Sequence, residues 1–298
     1  MRSTLRRFAC AKGALLCSLA ICVSQARAGV LFTYPTFAST AGLTLVGNAA
    51  TAVTGDGTVL RLTPAAGNQS GAAYSTVAVP LGVANTFSTQ FQFRLTSPGG
   101  INPADGFVFV VGTSTSGLGT GGGGLGYSGA AGNSVAIEFD TFNNSEGSSN
   151  HVGIDTNGNL ADANLASVYG IATCDFTGNS YQADGCLSNG HLWTANISYN
   201  GTNLTVSLTD PAKGVAFTAI NNLGINIAGI LGQSTAFVGF TSATGGGLEN
   251  HDIVNWIFSN SAVIGVPEPG SQYLVGAGLL AAAWFARKAL ALIRRDPL

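Results

Sequence analysis

The chain has 298 residues, of which 42 are glycine, one is methionine and only 9% are charged. That composition favours turns and short strands over long charged surface helices. Nine of its twelve basic residues sit in the two termini (Arg2, Arg6, Arg7, Lys12, Arg27, Arg287, Lys288, Arg294, Arg295), leaving Arg61, Arg94 and Lys213 against twelve acids between 29 and 266, a formal charge of minus nine. Phosphate backbones are held by basic surfaces, so a body this acidic excludes nucleic acid as a partner.

Arg6 and Arg7, an apolar run over 14–23 and Ala26-Arg27-Ala28 have the three-part layout of a secretory signal cleaved after Ala28. A lipoprotein signal at Cys22 is disfavoured because Ile21 stands where a small residue is wanted. Cleavage removes Cys10, Cys17 and Cys22. Cys174 and Cys186 then remain, twelve apart in a polar insertion over 167–190, and in an exported chain they suggest one disulfide, the alternative being two free thiols.

From residue 29 onward, short runs alternate between apolar and polar, as in 58–62 and 87–95, and Gly, Asn and Pro separate them. Such runs predict the strands of a sandwich. Residues 103–111 begin as a turn and become a buried strand, with Asp105 at its mouth. The run Gly121 to Gly124, then Leu125-Gly126-Tyr127, is not a phosphate loop, since no Lys-Ser/Thr follows and no helix is signalled. Bare glycines there would let a ligand approach the backbone.

Chemistry concentrates between Asn133 and Gly158. In the extended segment 135–142, Glu138 and Asp140 project from one face, roughly 7 Å apart along the chain. The segment 151–155 puts His151 and Asp155 on one face and Val152 and Ile154 on the other. Adjacent carboxylates resist joint ionisation unless a cation sits between them, yet no Lys or Arg occurs between Arg94 and Lys213. Glu138, Asp140, Glu146 and Asp155 therefore point to a bound metal, with Phe142 and Asn144 adding a carbonyl and an amide oxygen. Oxygen ligands suit calcium; the imidazole of His151 suits a transition metal such as manganese.

Residues 193–199 and 204–208 read as a hairpin around Asn200-Gly201, with His191 beside it as a surface loop residue. Residues 237–258 read as strand, loop, strand, with His251 and Asp252 structural. Five Asn-x-Ser/Thr sequons begin at Asn68, Asn143, Asn196, Asn200 and Asn203, and the one inside the metal segment argues against a glycosylating pathway. Val266-Pro267-Glu268-Pro269 precedes an apolar run over 273–286 and a basic tail. Basic residues after the run favour a cytoplasmic tail and an exported body.

The pattern Glu138-Phe139-Asp140-Thr141-Phe142, Asn144, an acidic residue, then His151-x-Gly153-Ile154-Asp155 resembles the signature of the legume-type (L-type) lectins. The resemblance extends to Ala104-Asp105-Gly106, to Gly123, Gly124 and Leu125, to the hairpin and to residues 237–258. It implies a concanavalin-like jelly-roll β-sandwich over 29–261. It assigns manganese to Glu138, Asp140 and His151, calcium to Asp140, the Phe142 carbonyl and Asn144, and a share in both to Glu146, where the family carries Asp. It further implies a cis peptide before Asp105 and a sugar held by the Asp105 carboxylate, the Gly123 N–H (Gly124 being the neighbouring candidate), the Asn144 amide and the Phe142 ring. Gly246 and Gly247 fall at the positions that set sugar choice, which leaves that side open. A homodimer through a flat sheet is also consistent with the family.

The C-terminus resembles the PEP-CTERM sorting signal of Gram-negative bacteria, with a linker over 262–272 and a membrane segment and basic tail over 273–295. It implies an exosortase-type processing enzyme, an inner-membrane anchor and final display on the cell surface or in an exopolysaccharide matrix. Two rival readings remain. One is a glycoside hydrolase of the laminarinase type, for which Glu138 and Asp140 fill two places of Glu-x-Asp-x-(x)-Glu while Phe142 and Asn143 stand where the acid should be. The other is a structural matrix or adhesion protein with a degenerate sugar site.

Overall fold

The computed structural model describes residues 29–264, apart from 116, 161–164 and 178–182. The expected signal peptide and the PEP-CTERM segment lie outside the described residues. Within them, no helix is long and apolar enough to cross a membrane.

Among the described residues, sixteen strands, numbered in chain order, form two antiparallel sheets. The first runs β14 (Val215–Gly224), β13 (Asn203–Asp210), β12 (Trp193–Tyr199), β7 (Phe87–Gly100), β16 (Gly247–Ser259), β4 (Gly57–Thr63) and β3 (Ala50–Thr54), with β1 (Val30–Tyr34) also on β16. The second runs β11 (Ala166–Ser167), β10 (His151–Thr156), β9 (Ser134–Asp140), β8 (Gly106–Gly112), β15 (Thr235–Ala243), β5 (Ser70–Ser75) and β2 (Leu43–Gly47), with β6 (Val79–Pro80) on β15. This is the all-β jelly-roll sandwich expected.

Alternation explains the core. Phe91, Phe93 and Leu95 of β7 are fully buried while Gln90, Gln92 and Arg94 between them are partly exposed. They meet Phe107, Phe109, Phe139 and Phe240 from the second sheet, with Phe91 and Phe240 edge to face at 5.0 Å and Phe107 and Phe139 stacked at 4.7 Å. Burying each ring contributes about 2–3 kcal/mol, and favourable ring geometry adds about 1.

The centre of the second sheet is buried on both sides, so β8 and β9 carry no exposed residue. Val135, Ile137 and Phe139 enter the core, and Val108, Val110 and Ala136 on the other face pack against Leu125 and Tyr127. The glycine-rich loop before β9 thus roofs this sheet. Glu138 and Asp140 share the roofed face, which is why they are buried without belonging to the core.

The hairpin expected around Asn200-Gly201 forms. Tyr199 pairs with Leu204, so Asn200-Gly201 lies in a turn longer than two residues, folded by Asn200 Oδ1 accepting from the Thr202 and Asn203 N–H groups at 3.0 and 2.8 Å. His191 is a partly exposed loop residue, as expected, and its Nδ1 lies 2.6 Å from Oδ2 of buried Asp210.

Candidate functional site

In the β9–β10 ladder His151 pairs with Asp140, and Gly153 pairs with Glu138. Register therefore delivers Glu138, Asp140 and His151 to one place: each offers a ligand atom within 4.8 Å of the others. The three are 1%, 4% and 0% exposed. His151 Nδ1 lies 3.2 Å from the Ser148 carbonyl, which can only accept, so Nδ1 carries a proton, and Nε2 faces Glu138 Oε1 at 3.3 Å. At Gly153 a Cβ would stand 2.0 Å from Glu138 Oε1, so glycine makes the room that this carboxylate fills.

Burial pushes the Asp140 carboxyl well above its usual range, and Glu138, Glu146 and Asp105 push it further, against the Phe142 N–H that donates to it at 2.7 Å. No cation of the body relieves this. Arg61 pairs with Asp252 at 2.8 Å, Arg94 with Asp56 at 2.7 Å and Lys213 with Asp184 at 2.9 Å. Two carboxylates and an imidazole, buried together, fit a divalent metal in their donor chemistry.

The loop after β9 is folded by its own side chains. Glu146 Oε1 accepts from the Asn144 N–H at 2.7 Å, and Asn143 Oδ1 accepts from Ser145 and Gly147 at 2.9 and 3.2 Å. Glu146 is thus turned to the loop backbone and is not brought into the group formed by Glu138, Asp140 and His151. Its charge still reaches Asp140.

Asp105 lies alongside. The Ala104–Asp105 peptide is cis, as the resemblance implied. Asp105 is 4% exposed, and its Oδ2 is buried without a hydrogen-bond partner. The Gly245 N–H and the Asn144 amide both favour its ionised form, but burial dominates and pushes its pKa up to about 6. Above Oδ2 two glycine loops meet: a Cβ on Gly245 would lie 3.4 Å from both Oδ2 and the Gly122 Cα. Next to them a Cβ on Gly123 would fall 2.3 Å from the Asn144 amide nitrogen, whereas Gly124 is folded against Thr120. Asp105, Gly123 and Asn144 therefore converge, and the half-buried Phe142 follows Asp140, whose Oδ1 accepts from the Phe142 N–H at 2.7 Å.

The remaining two glycines part company. Gly246 is exposed, with only Ile101 near its Cβ position, at 3.6 Å. Gly247 is buried: a Cβ there would meet the Asn102 carbonyl at 2.5 Å and the Ala104 Cβ at 2.6 Å. It holds the cis-peptide loop close and is not part of an open rim.

Cys174 and Cys186 form a disulfide, and both are buried. The insertion that carries them is anchored by Asn150, whose Nδ2 donates to the Ile171 and Gly185 carbonyls at 3.0 Å each and whose Oδ1 accepts from Leu187 at 2.9 Å. Sequence reading overlooked Asn150, along with Thr63, Ser242 and Glu249, which surround His251 in the interior. Their partners lie too far along the chain for spacing to reveal them.

The legume lectin domain family matches residues 30–270. Among curated proteins, agglutinin-2 of Cladrastis kentukea is 30% identical over 189 residues, covering 59% of this chain and 58% of its own length. A probable L-type lectin-domain containing receptor kinase, VII.2, of Arabidopsis thaliana is 29% identical over 187 residues, 59% of this chain and 26% of the kinase. The chain thus spans about a quarter to just over half of these relatives. Among solved structures, the basic winged bean lectin with Tn-antigen superposes with TM-score 0.62 at 26% identity, covering 76% of this chain and 96% of that one. The Bauhinia forficata lectin in complex with GalNAc superposes with TM-score 0.60 at 26% identity, covering 78% and 98%. What these relatives share with the chain is the legume lectin fold, a carbohydrate-binding fold. The chain belongs to the legume lectin family.

Proposed function

We propose that this protein is an exported lectin, dependent on calcium and manganese, that binds a glycan or exopolysaccharide at the surface or in the matrix of a Gram-negative bacterium. One observation carries the reading: a buried carboxylate oxygen of Asp105 with no partner, set among the Gly123 loop, the Asn144 amide and the Gly245 loop, next to the cluster of Glu138, Asp140 and His151. An acceptor left unpaired in the protein costs about 1–3 kcal/mol, which a sugar hydroxyl would recover on binding. The GalNAc-bound relative supports a glycan as the ligand class.

In this reading Glu138, Asp140 and His151 hold the transition metal, and Asp140, the Phe142 carbonyl and Asn144 hold calcium, with Glu146 turning inward to join them. The metals would supply positive charge that keeps the carboxylates ionised. Asp105 accepts sugar hydroxyls, Asn144 and the Gly123 N–H donate to ring or hydroxyl oxygens, and Phe142 covers an apolar sugar face. Export rests on the N-terminal signal, and anchoring and exosortase processing rest on the PEP-CTERM resemblance; fractionation of cells expressing the tagged full chain tests both. A glycan array on the metal-loaded protein tests binding: signal lost after EDTA and restored by the two metals is expected, and signal unaffected by EDTA would contradict the dependence.

A further inference from the structure

Gly106, the residue after Asp105, has both of its backbone polar groups drawn into one closed circuit. Its N–H donates to His251 Nε2 at 3.1 Å. His251 Nδ1 lies 2.6 Å from Thr63 Oγ1, Thr63 Oγ1 lies 3.1 Å from Ser242 Oγ, and Ser242 Oγ donates to the Gly106 carbonyl at 2.7 Å. Thr63, Ser242 and His251 are all 0% exposed, so water does not complete or replace any link.

The protons can be placed in one way. A carbonyl only accepts, so the Ser242 hydrogen goes to Gly106. The Thr63 hydrogen must then go to Ser242, and Thr63 Oγ1 takes its own bond from His251 Nδ1–H. Nε2 carries a lone pair toward Gly106. His251 is therefore the neutral Nδ1–H tautomer, with every member of the circuit giving and taking one hydrogen bond. Glu249 Oε1, 3.5 Å from Nε2, is already engaged by the Thr141 and Ser188 hydroxyls at 2.7 and 3.0 Å.

Gly106 needs such a clamp. Its φ is +120° and a Cβ would fall 2.2 Å from the Phe139 carbonyl, so only glycine fits, and glycine is the residue least restrained by its own geometry. Asp105 itself is tied by its N–H to the Ala243 carbonyl at 3.2 Å and by its carbonyl to the Thr141 N–H at 3.0 Å. We propose that His251, with Thr63 and Ser242, is a positioning device for glycan binding: the circuit fixes Gly106 and thereby aims the Asp105 carboxylate into the gap between the glycine loops. His251 touches no ligand. The inference rests on the reading of Asp105 as the glycan acceptor.

Thr63→Val removes one hydroxyl at nearly constant shape. In the full-length protein we expect roughly tenfold weaker glycan binding, as for one lost buried hydrogen bond, with calcium and manganese affinities within about twofold of wild type. Gly106 amide exchange should accelerate by roughly the same tenfold factor. In the double variant with Asp105→Ala, Thr63→Val should cost nothing further, which a general loss of stability would not produce. Imidazole nitrogen spectra of wild type should report His251 protonated on Nδ1. The proposal is overturned if Gly106 exchange is unchanged in Thr63→Val, if the proton is on Nε2, or if glycan affinity falls equally with and without Asp105. Should wild type bind no glycan, the lectin reading fails separately, and the exchange and tautomer results still decide the circuit. If Thr63→Val does not fold, Ser242→Ala breaks the same circuit at its next link.

Discussion

Gly153→Ala tests how the proposed metal cluster is built, because Gly153 contributes only space. The added methyl would stand 2.0 Å from Glu138 Oε1 and 2.9 Å from its Cδ, closer than Cβ atoms approach other atoms. Glu138 must rotate its carboxylate away from His151 Nε2, now 3.3 Å distant, and it is 1% exposed with little room to do so. Displacing one of three clustered donors should weaken manganese binding by about 10- to 100-fold, the range seen when groups that orient metal ligands are lost. Overpacking should cost the metal-free fold about 1–3 kcal/mol. Calorimetric titration with manganese, alongside thermal unfolding in EDTA, separates the two effects. Wild-type manganese affinity in Gly153→Ala would refute the placement of Glu138 in the site.

Three further outcomes follow from the same geometry. In EDTA the fold should be more stable near pH 4 than near pH 7: Asp105 has its pKa raised to about 6, so the folded state holds that proton more tightly than the unfolded chain, and the stability is full below about 3.8 and lost as pH rises through 6. The contribution is about 3 kcal/mol, and Asp140 shifts in the same direction; chemical denaturation of wild type and Asp105→Asn across this range should show the difference shrinking in the variant, and parallel curves would refute it. Reducing Cys174–Cys186 should cost about 3 kcal/mol through the freed unfolded chain, so denaturation midpoints unchanged by reductant would show that the loop is held by its hydrogen bonds alone. Asn150→Ala should cost about 2–4 kcal/mol, because the Ile171 and Gly185 carbonyls and the Leu187 N–H lose their partner at 0% exposure; a loss below 1 kcal/mol in denaturant titration would contradict it.

Legibility in the sequence followed burial. β7, β12 and β13 present one face to the core and one outward, so alternation announced them. The clustering of Glu138, Asp140 and His151 was legible because an antiparallel ladder brings the three together within a stretch of 14 residues. Spacing marked Glu146 as an acid of the same loop, but it could not foretell that the longer carboxylate folds back onto the Asn144 N–H. Gly247 looked like its neighbour Gly246, yet the close approach of Asn102 and Ala104 separates their roles. The circuit through Thr63, Ser242 and His251 joins β4, β15 and β16, whose contacts depend on sheet order, and no local pattern encodes it.

Calorimetric titration of the strongest array glycan into metal-loaded wild type and Asp105→Ala tests the central claim most directly. Loss of a charged acceptor should weaken binding by about 100-fold or more while metal stoichiometry stays the same. Equal affinity in the two proteins would contradict the assignment of the glycan site to the Asp105 carboxylate.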